Sequence, residues 1–254
     1  VEARRLPDRA EPAAPRELAP LSPKTLVNQV VEAILQAAAT GVFMPGDRVV
    51  EAEVARRLNV SRVPVREALR LLESQGILVN MPYRGMRLMD VSASRLRKIL
   101  EVRLALERLG AFALMEAARG RPEMLDPLDR ISAEMRSAAS RQDSFGIATQ
   151  ESRFHRTLLE LTGNEILVST WEPLSAQLTI IFGLSTLQND MRGIAEEHVL
   201  LTDLIRAGEP EPLDRNLRLH ILDSPQAIDF DALIARRDEA RRPRQRRRRA
   251  VAVA

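Results

Sequence analysis

Residues 45–88, PGDRVVEAEVARRLNVSRVPVREALRLLESQGILVNMPYRGMRL, decide how the chain folds. Glu51 to Leu58 reads as a short helix with Val54 and Leu58 inward and Ala55 small enough for a second helix to come close. Asn59 takes the turn, because asparagine enters the left-handed conformation at little cost. Ser61 is then a good N-cap for the next helix. Pro64 falls in its first turn, where a missing N–H is no loss, and Gly76 is a natural stop.

On that second helix Val65, Ala68, Leu69 and Leu72 share one face, while Arg62, Arg66 and Arg70 recur at i, i+4 and i+8 on the other. The apolar face packs, so the arginines project. Guanidinium forks presented beyond a capped turn suit a DNA major groove, where they meet phosphates or the O6/N7 edge of guanine. Beyond Gly76, Ile77-Leu78-Val79 and Met86-Arg87-Leu88 can pair around Asn80–Gly85 as a wing tipped by Tyr83 and Arg84. The plainer reading is an amphipathic helical hairpin with a solvated arginine face. Cap, turn, arginine stripe and hairpin in that order favour DNA reading.

The stretch resembles the winged-helix domain of GntR-family bacterial transcription regulators. The matching residues are Pro45-Gly46, Glu51, Leu58, Val60, Ser61-Arg62, Pro64-Val65-Arg66-Glu67-Ala68-Leu69, Leu72, Glu73 and Gly76. The resemblance implies operator contacts from Arg62 and Arg66 and from the wing region Tyr83, Arg84 and Gly85. Ser61 and Arg70 belong to the same candidate double-stranded DNA surface. Where some members carry an arginine this chain has Ala52, so that contact is absent, and Asn59 replaces the usual glycine.

At 254 residues the chain has room for two domains, each with its own core. Hydrophobic residues make up 45% and aromatic ones 3%, with many Ala, Leu and Arg, a composition that favours helices. Without cysteine, disulfides and thiolate metal sites are excluded. No apolar run approaches the ~18 residues a membrane helix needs, and Val1–Pro20 lacks a signal peptide's apolar centre, so a cytoplasmic protein is expected.

Charge is uneven along the chain. Residues 1–90 carry 13 Lys/Arg against 11 Asp/Glu, residues 91–235 carry 16 against 22, and residues 236–254 carry 9 against 2. The basic balance therefore belongs mainly to the tail and says little about the DNA-reading unit.

Residues 1–22, rich in Pro and Ala, read as a disordered leader, and 23–90 as the winged domain, opened by a helix from Thr25 to Ala39 with Leu26, Val30, Ile34 and Ala37 at helical spacing. Residues 91–235 read as a helical effector-binding and dimerisation domain, and 236–254 as a disordered basic tail. Ser92 or Ser94 can cap a long helix carrying Leu96, Ile99, Leu100, Leu104, Leu106 and Leu109 towards Arg119. Further helices are expected at 123–141, 144–162, 165–187, 191–207, 211–223 and 229–240, with Pro127 and Pro173 delaying or kinking two of them. The fold class is mainly α: an N-terminal winged helix-turn-helix plus a C-terminal all-helical antiparallel bundle.

The three histidines, His155, His198 and His220, all fall in the bundle region, and Glu151 sits one helical turn before His155. Leu200, Leu201, Leu217 and Leu219 flank the last two. Imidazoles and carboxylates on facing helices are a recurrent way to hold a metal, and Zn, Ni, Mn, Co or Fe all remain open. A histidine on a half-buried helix is also commonly structural, so each residue singly supports either reading.

Residues 95–222 resemble the all-helical FCD effector domain of the FadR-type branch of the GntR family, through Glu101-Val102-Arg103 with Glu107, Phe154-His155, Gly163-Asn164, Glu197-His198 and Leu219-His220. The resemblance implies a divalent ion held by His155, His198 and His220, with Glu151 where the metal-binding members have an aspartate. It also implies a homodimer that represses until an effector releases it from DNA. A bidentate small carboxylate would complete the ion's coordination, and Arg103 is a candidate second anchor for it; the competing role for Arg103 is an ion pair with Glu107. The rival readings are a metal-free regulator holding a larger acyl ligand, and a metalloenzyme built on Glu151 and the histidines. The enzyme reading lacks a Ser/His/Asp set or a phosphate loop.

Overall fold

The computed structural model describes residues 25–186, 191–224 and Ala235, so the expected leader, most of the 229–240 helix and the basic tail lie outside the described residues. Three helices open the chain: α1 (Leu26–Ala39), α2 (Glu51–Leu58) and α3 (Arg62–Ser74). Thr25 caps α1, and its buried column is Val30, Ile34 and Ala38; Leu26, expected inward, is exposed. On α2, Val54 and Ala55 are buried, while Leu58 is 37% exposed, contrary to its expected place. Asn59 ends α2 in the left-handed region (φ 53, ψ 46), as the turn requires. Ser61 stands at the N-cap of α3, but its side chain makes no capping bond.

Strands β1 (Leu78–Met81) and β2 (Gly85–Leu88) form the antiparallel wing, in register from Leu78↔Leu88 to Met81↔Gly85. The ladder runs closer to the tip than the sequence pattern predicts, leaving Pro82, Tyr83 and Arg84 as the turn. Ile77 is not paired in the ladder but buried beneath it, accepting a hydrogen bond from Met89 N at 2.8 Å. The entry loop adds a bridge between Arg48 and Arg87 along the edge of β2.

The remaining helices are α4 (Ala93–Ala117), α5 (Asp126–Ser140), α6 (Ser144–Glu160), α7 (Glu165–Thr186), α8 (Met191–Ala207) and α9 (Pro210–Arg218). Ser92 Oγ caps α4 by accepting from Arg95 N. A 3-10 turn, Pro122–Leu125, precedes α5, and Pro127 sits in that helix's first turn. Pro173 lies inside α7. Residues 211–223 depart from the expected single helix: α9 ends at Arg218 and a π-turn, Leu219–Asp223, follows. Single π-turns concentrate where a side chain must be re-aimed, and His220 lies in this one.

The two regions share a core. Val30, Ile34, Val65, Leu72 and Leu88 of the winged part pack with Leu96 and Leu100 of α4 and Leu178, Ile181 and Leu184 of α7. Among the described residues, the far end of the bundle, around Leu114, Leu128, Phe154, Leu158 and Trp171, has an apolar cluster of its own. Gly183 makes the junction possible, since a Cβ there would come within 2.9 Å of the Ala39 carbonyl at the end of α1. Gln177 of α7 adds polar ties, donating to Gln75 O at 2.9 Å and accepting from Arg95 Nη2 at 3.0 Å.

Candidate nucleic-acid interface and metal centre

Burial of Val65, Ala68, Leu69 and Leu72 turns the opposite side of α3 outward, so Arg62, Arg66 and Arg70 all stand in solvent. Arg62 and Arg66 are nonetheless held. Glu51, the first residue of α2, accepts from Arg62 Nε at 2.8 Å and from Arg66 Nε and Nη2 at 3.1 Å each. Hydrogen bonds from Arg66 first and Arg62 second hold the Glu51 carboxyl at about 2. Arg70 and Arg48 have no carboxylate partner among the described residues.

Between α3 and the wing lies an open cleft of about 340 Å³ whose lining includes Arg48, Glu51, Arg66, Arg70, Asn80 and Gly85. Gly85 keeps a positive φ of 73, and a Cβ there would crowd Arg48 Nε at 3.4 Å. Tyr83, also at positive φ, is fully exposed at the wing tip beside exposed Arg84. The structure thus collects Arg66, Arg70 and Gly85 around one cleft, with Arg62 joined to it through Glu51. Arg48 and the Glu51 clamp are additions that sequence reasoning missed. A cation in an irregular entry loop carries no periodic signal, and Glu51 meets the arginines only across the helix-turn-helix.

The second site is buried. His155 on α6, His198 on α8 and His220 in the π-turn bring their nitrogens within 4.8 Å of one another. His155 Nε2 lies 3.2 Å from both His198 Nε2 and His220 Nε2. The other ring nitrogens all face acceptors. His198 Nδ1 donates to Ile194 O at 2.7 Å and His220 Nδ1 to Glu197 Oε2 at 2.8 Å. Glu107 Oε2 lies 2.7 Å from His155 Nδ1, an ion-pair distance outside hydrogen-bond angles. Acceptors at Nδ1 assign the protons there and leave three Nε2 lone pairs aimed at one another. Lone pairs so placed repel, and a cation between them relieves the repulsion.

Burial pushes His155 and His198 below their ordinary values, with the neighbouring imidazoles adding to the effect at His198. Both rings are therefore held neutral, the form that ligates metal. Glu151 is outside the histidine group. Its Oε1 accepts from Arg103 Nη2 at 2.7 Å and lies 3.6 Å from His155 Nε2.

Arg103 is 1% exposed and is also bound to Glu107, Nε to Oε1 at 2.6 Å, so the ion pair weighed as its alternative role is present. Trp171, the chain's one tryptophan, donates to that same Glu107 oxygen at 2.6 Å. Burial pushes the Glu107 carboxyl up, but Arg103 and then His155 outweigh it and hold it at about 2. Glu107, Trp171 and Glu197 were not singled out as site residues; the Arg103/Glu107 spacing was a visible signal, whereas Trp171 and Glu197 join only through packing. Leu201 and Leu217 anchor their helices in the core as expected, but Leu200 and Leu219 are exposed.

A winged helix-turn-helix with an exposed arginine face, packed on a helical bundle enclosing a histidine cluster, defines a DNA-binding regulator with a sensor-like domain. The family described as "Bacterial regulatory proteins, gntR family" matches residues 26–88, and the family described as "FCD domain" matches residues 98–223. The chain belongs to the GntR family of transcription regulators, in the branch that carries an FCD domain, and the family is not one of enzymes. It is 27% identical over 202 residues (79% of this chain, 88% of the relative) to a probable D-xylose utilization operon transcriptional repressor of Paenarthrobacter nicotinovorans. It is 24% identical over 210 residues (82% and 91%) to the Escherichia coli repressor RspR. The fold matches that of E. coli McbR/YncC with a TM-score of 0.66 at 21% identity, covering 84% of this chain and 99% of that one. No helix among the described residues is long and apolar enough to cross a membrane.

Proposed function

We propose that this protein is a cytoplasmic, homodimeric repressor whose helical domain binds a small organic acid at a metal-containing site and thereby repositions two winged domains on a pseudo-palindromic operator. The observation that carries the sensor half is the convergence of three Nε2 atoms, with His198 and His220 hydrogen-bonded from behind and Glu107 lying 2.7 Å behind His155. His155, His198 and His220 hold a divalent ion of the Zn, Ni or Mn type, with Glu151 beside them as the carboxylate of the set. Such an ion supplies a Lewis-acidic point for an effector carboxylate. Arg103 anchors the same effector by giving up a carboxylate bond, and the Glu151 bond is the one to yield, because Glu107 is also tied by Trp171.

On DNA, Arg62, Arg66 and Arg70 enter the major groove with Ser61 at the helix start, while Tyr83, Arg84 and Gly85 follow the backbone alongside. A dimer supplies two such units for two half-sites. Support for the dimer comes from α4, whose inner face is buried while Val102, Ala105, Leu109 and Ala113 form an exposed apolar stripe on its other side. Control needs only that effector and DNA prefer different dimer geometries. The relatives named as repressors support repression as the sign.

Two measurements test this reading. Metal analysis of protein purified without chelator is expected to find about one divalent ion per chain, lost in His198→Ala. Fluorescence anisotropy with a duplex selected from random DNA is expected to show tight binding that Arg62→Ala with Arg66→Ala abolishes. Metal-free wild type would overturn the sensor assignment, and binding indifferent to the arginines would overturn the reader.

A further inference from the structure

The four arginines on and beside the α3 cleft, Arg48, Arg66 and Arg70 in its lining and Arg62 next to it through Glu51, are not equivalent. Arg70 and Arg48 are without a carboxylate partner among the described residues, whereas Arg62 and Arg66 share one, Glu51, although both side chains stay more than half exposed. Glu51 comes from the preceding helix, so the clamp spans the helix-turn-helix. An exposed ion pair of this kind adds little to folding. A carboxylate beside a DNA-reading face also repels phosphate, and that cost calls for a compensating use.

We infer that Glu51 is a positioning residue for sequence readout: it fixes Arg62 and Arg66 before DNA arrives and trades general affinity for selectivity. The inference rests on α3 being the DNA-reading helix. The bonds leave the working edges of both arginines open. Glu51 takes only the Nε edge of Arg62, so the two Nη groups remain as a fork for guanine O6 and N7. Arg66 is held through Nε and Nη2, which leaves Nη1 outside the Glu51 bonds. A free arginine must surrender rotamer freedom on meeting a base, and these two surrender it during folding. The carboxylate meanwhile penalises any duplex that offers phosphates without matching bases. Arg48 and Arg70, untied, are suited to phosphate, where direction matters less.

The test compares full-length wild type with Glu51→Gln, Glu51→Asp and Arg48→Ala. The probes are a duplex selected from a randomised pool by the wild type and a scrambled duplex of equal length and composition, each titrated by anisotropy over a range of salt. Glu51→Gln is expected to weaken the selected duplex and strengthen the scrambled one, lowering the affinity ratio roughly tenfold, a loss typical of one bidentate contact. Its salt dependence on scrambled DNA steepens by about one ion as the repelling charge disappears. Glu51→Asp keeps the charge but withdraws the carboxylate by one methylene, so selectivity falls without the gain on scrambled DNA. Arg48→Ala weakens both duplexes alike. If Glu51→Gln and Glu51→Asp leave the ratio unchanged, or move both affinities in parallel, the inference is overturned. Should Arg62→Ala with Arg66→Ala also leave binding unchanged, the DNA reading itself fails, and that result is distinct.

Discussion

The reader and the sensor are each built around a carboxylate that ties several side chains together, and they put the same chemistry to opposite use. At the reader, Glu51 joins Arg62 and Arg66 in solvent, and every partner can be separated without stranding a charge. At the sensor, Glu107 joins Arg103, Trp171 and His155 where all are buried, so the loss of any one leaves a desolvated polar group. Solvent lets the first cluster adjust to a partner. Its absence makes the second cluster part of the fold. A surface clamp thus tunes recognition at little structural cost, whereas a buried one couples ligand chemistry directly to packing.

The largest expected effect tests the buried side of that contrast. Glu107→Ala leaves buried Arg103 with Glu151 as its one carboxylate partner and Trp171 Nε1 without an acceptor, and should lower unfolding free energy by about 3–5 kcal/mol in a urea titration. Glu51→Ala should leave the same denaturation midpoint where it is. A Glu107→Ala protein as stable as wild type would dissolve the distinction.

Next in size is DNA binding. Arg62→Ala with Arg66→Ala should lose about 100-fold or more in affinity for a selected duplex, with unaltered melting temperature and metal content. Anisotropy, thermal melting and elemental analysis on one preparation check all three.

Acid separates the regions more gently. His155 and His198 have folded values pushed below the ordinary histidine value of 6.5, so the unfolded chain takes up more protons as pH falls. Stability is therefore expected to fall as pH drops through about 6.5, and acid would also compete with the proposed metal for the imidazoles. Glu51, held at about 2, stays ionised until pH falls below its unfolded value of 4.5, so the reader is unaffected in the same window. Thermal melts from pH 8 to 5, with and without chelator, should show a decline that His198→Ala reduces.

The smallest expected effect lies at the junction between the two regions. Gln177→Ala removes the donor to Gln75 O and the acceptor for Arg95, and should cost about 1 kcal/mol, with faster hydrogen exchange near the end of α3. A change confined to α7 would mean that the sensor helix does not steady the reader through this contact.

Local rules made the reader legible. Asn59 takes the left-handed turn its side chain tolerates, and α3 buries the residues its periodicity selects. Errors there were local too: Leu58 and Leu26 are apolar yet exposed because their helices end or begin at the surface. The sensor was legible only as three histidines in a helical region. Nothing in their spacing reveals that Arg103 faces Glu107 and Glu151 together, or that Trp171 reaches across from α7.

From the residue order by itself follow the succession of helices, the Asn59 turn, the outward arginine stripe and the family resemblance, because each depends on contacts within a few residues. Tertiary structure decided which acceptors stand behind the imidazoles, that Glu51 binds two arginines from another helix, and that the winged part completes its core with α4 and α7. Those features join residues far apart in the chain, and they exist only once the helices have packed in one arrangement and excluded water from between them.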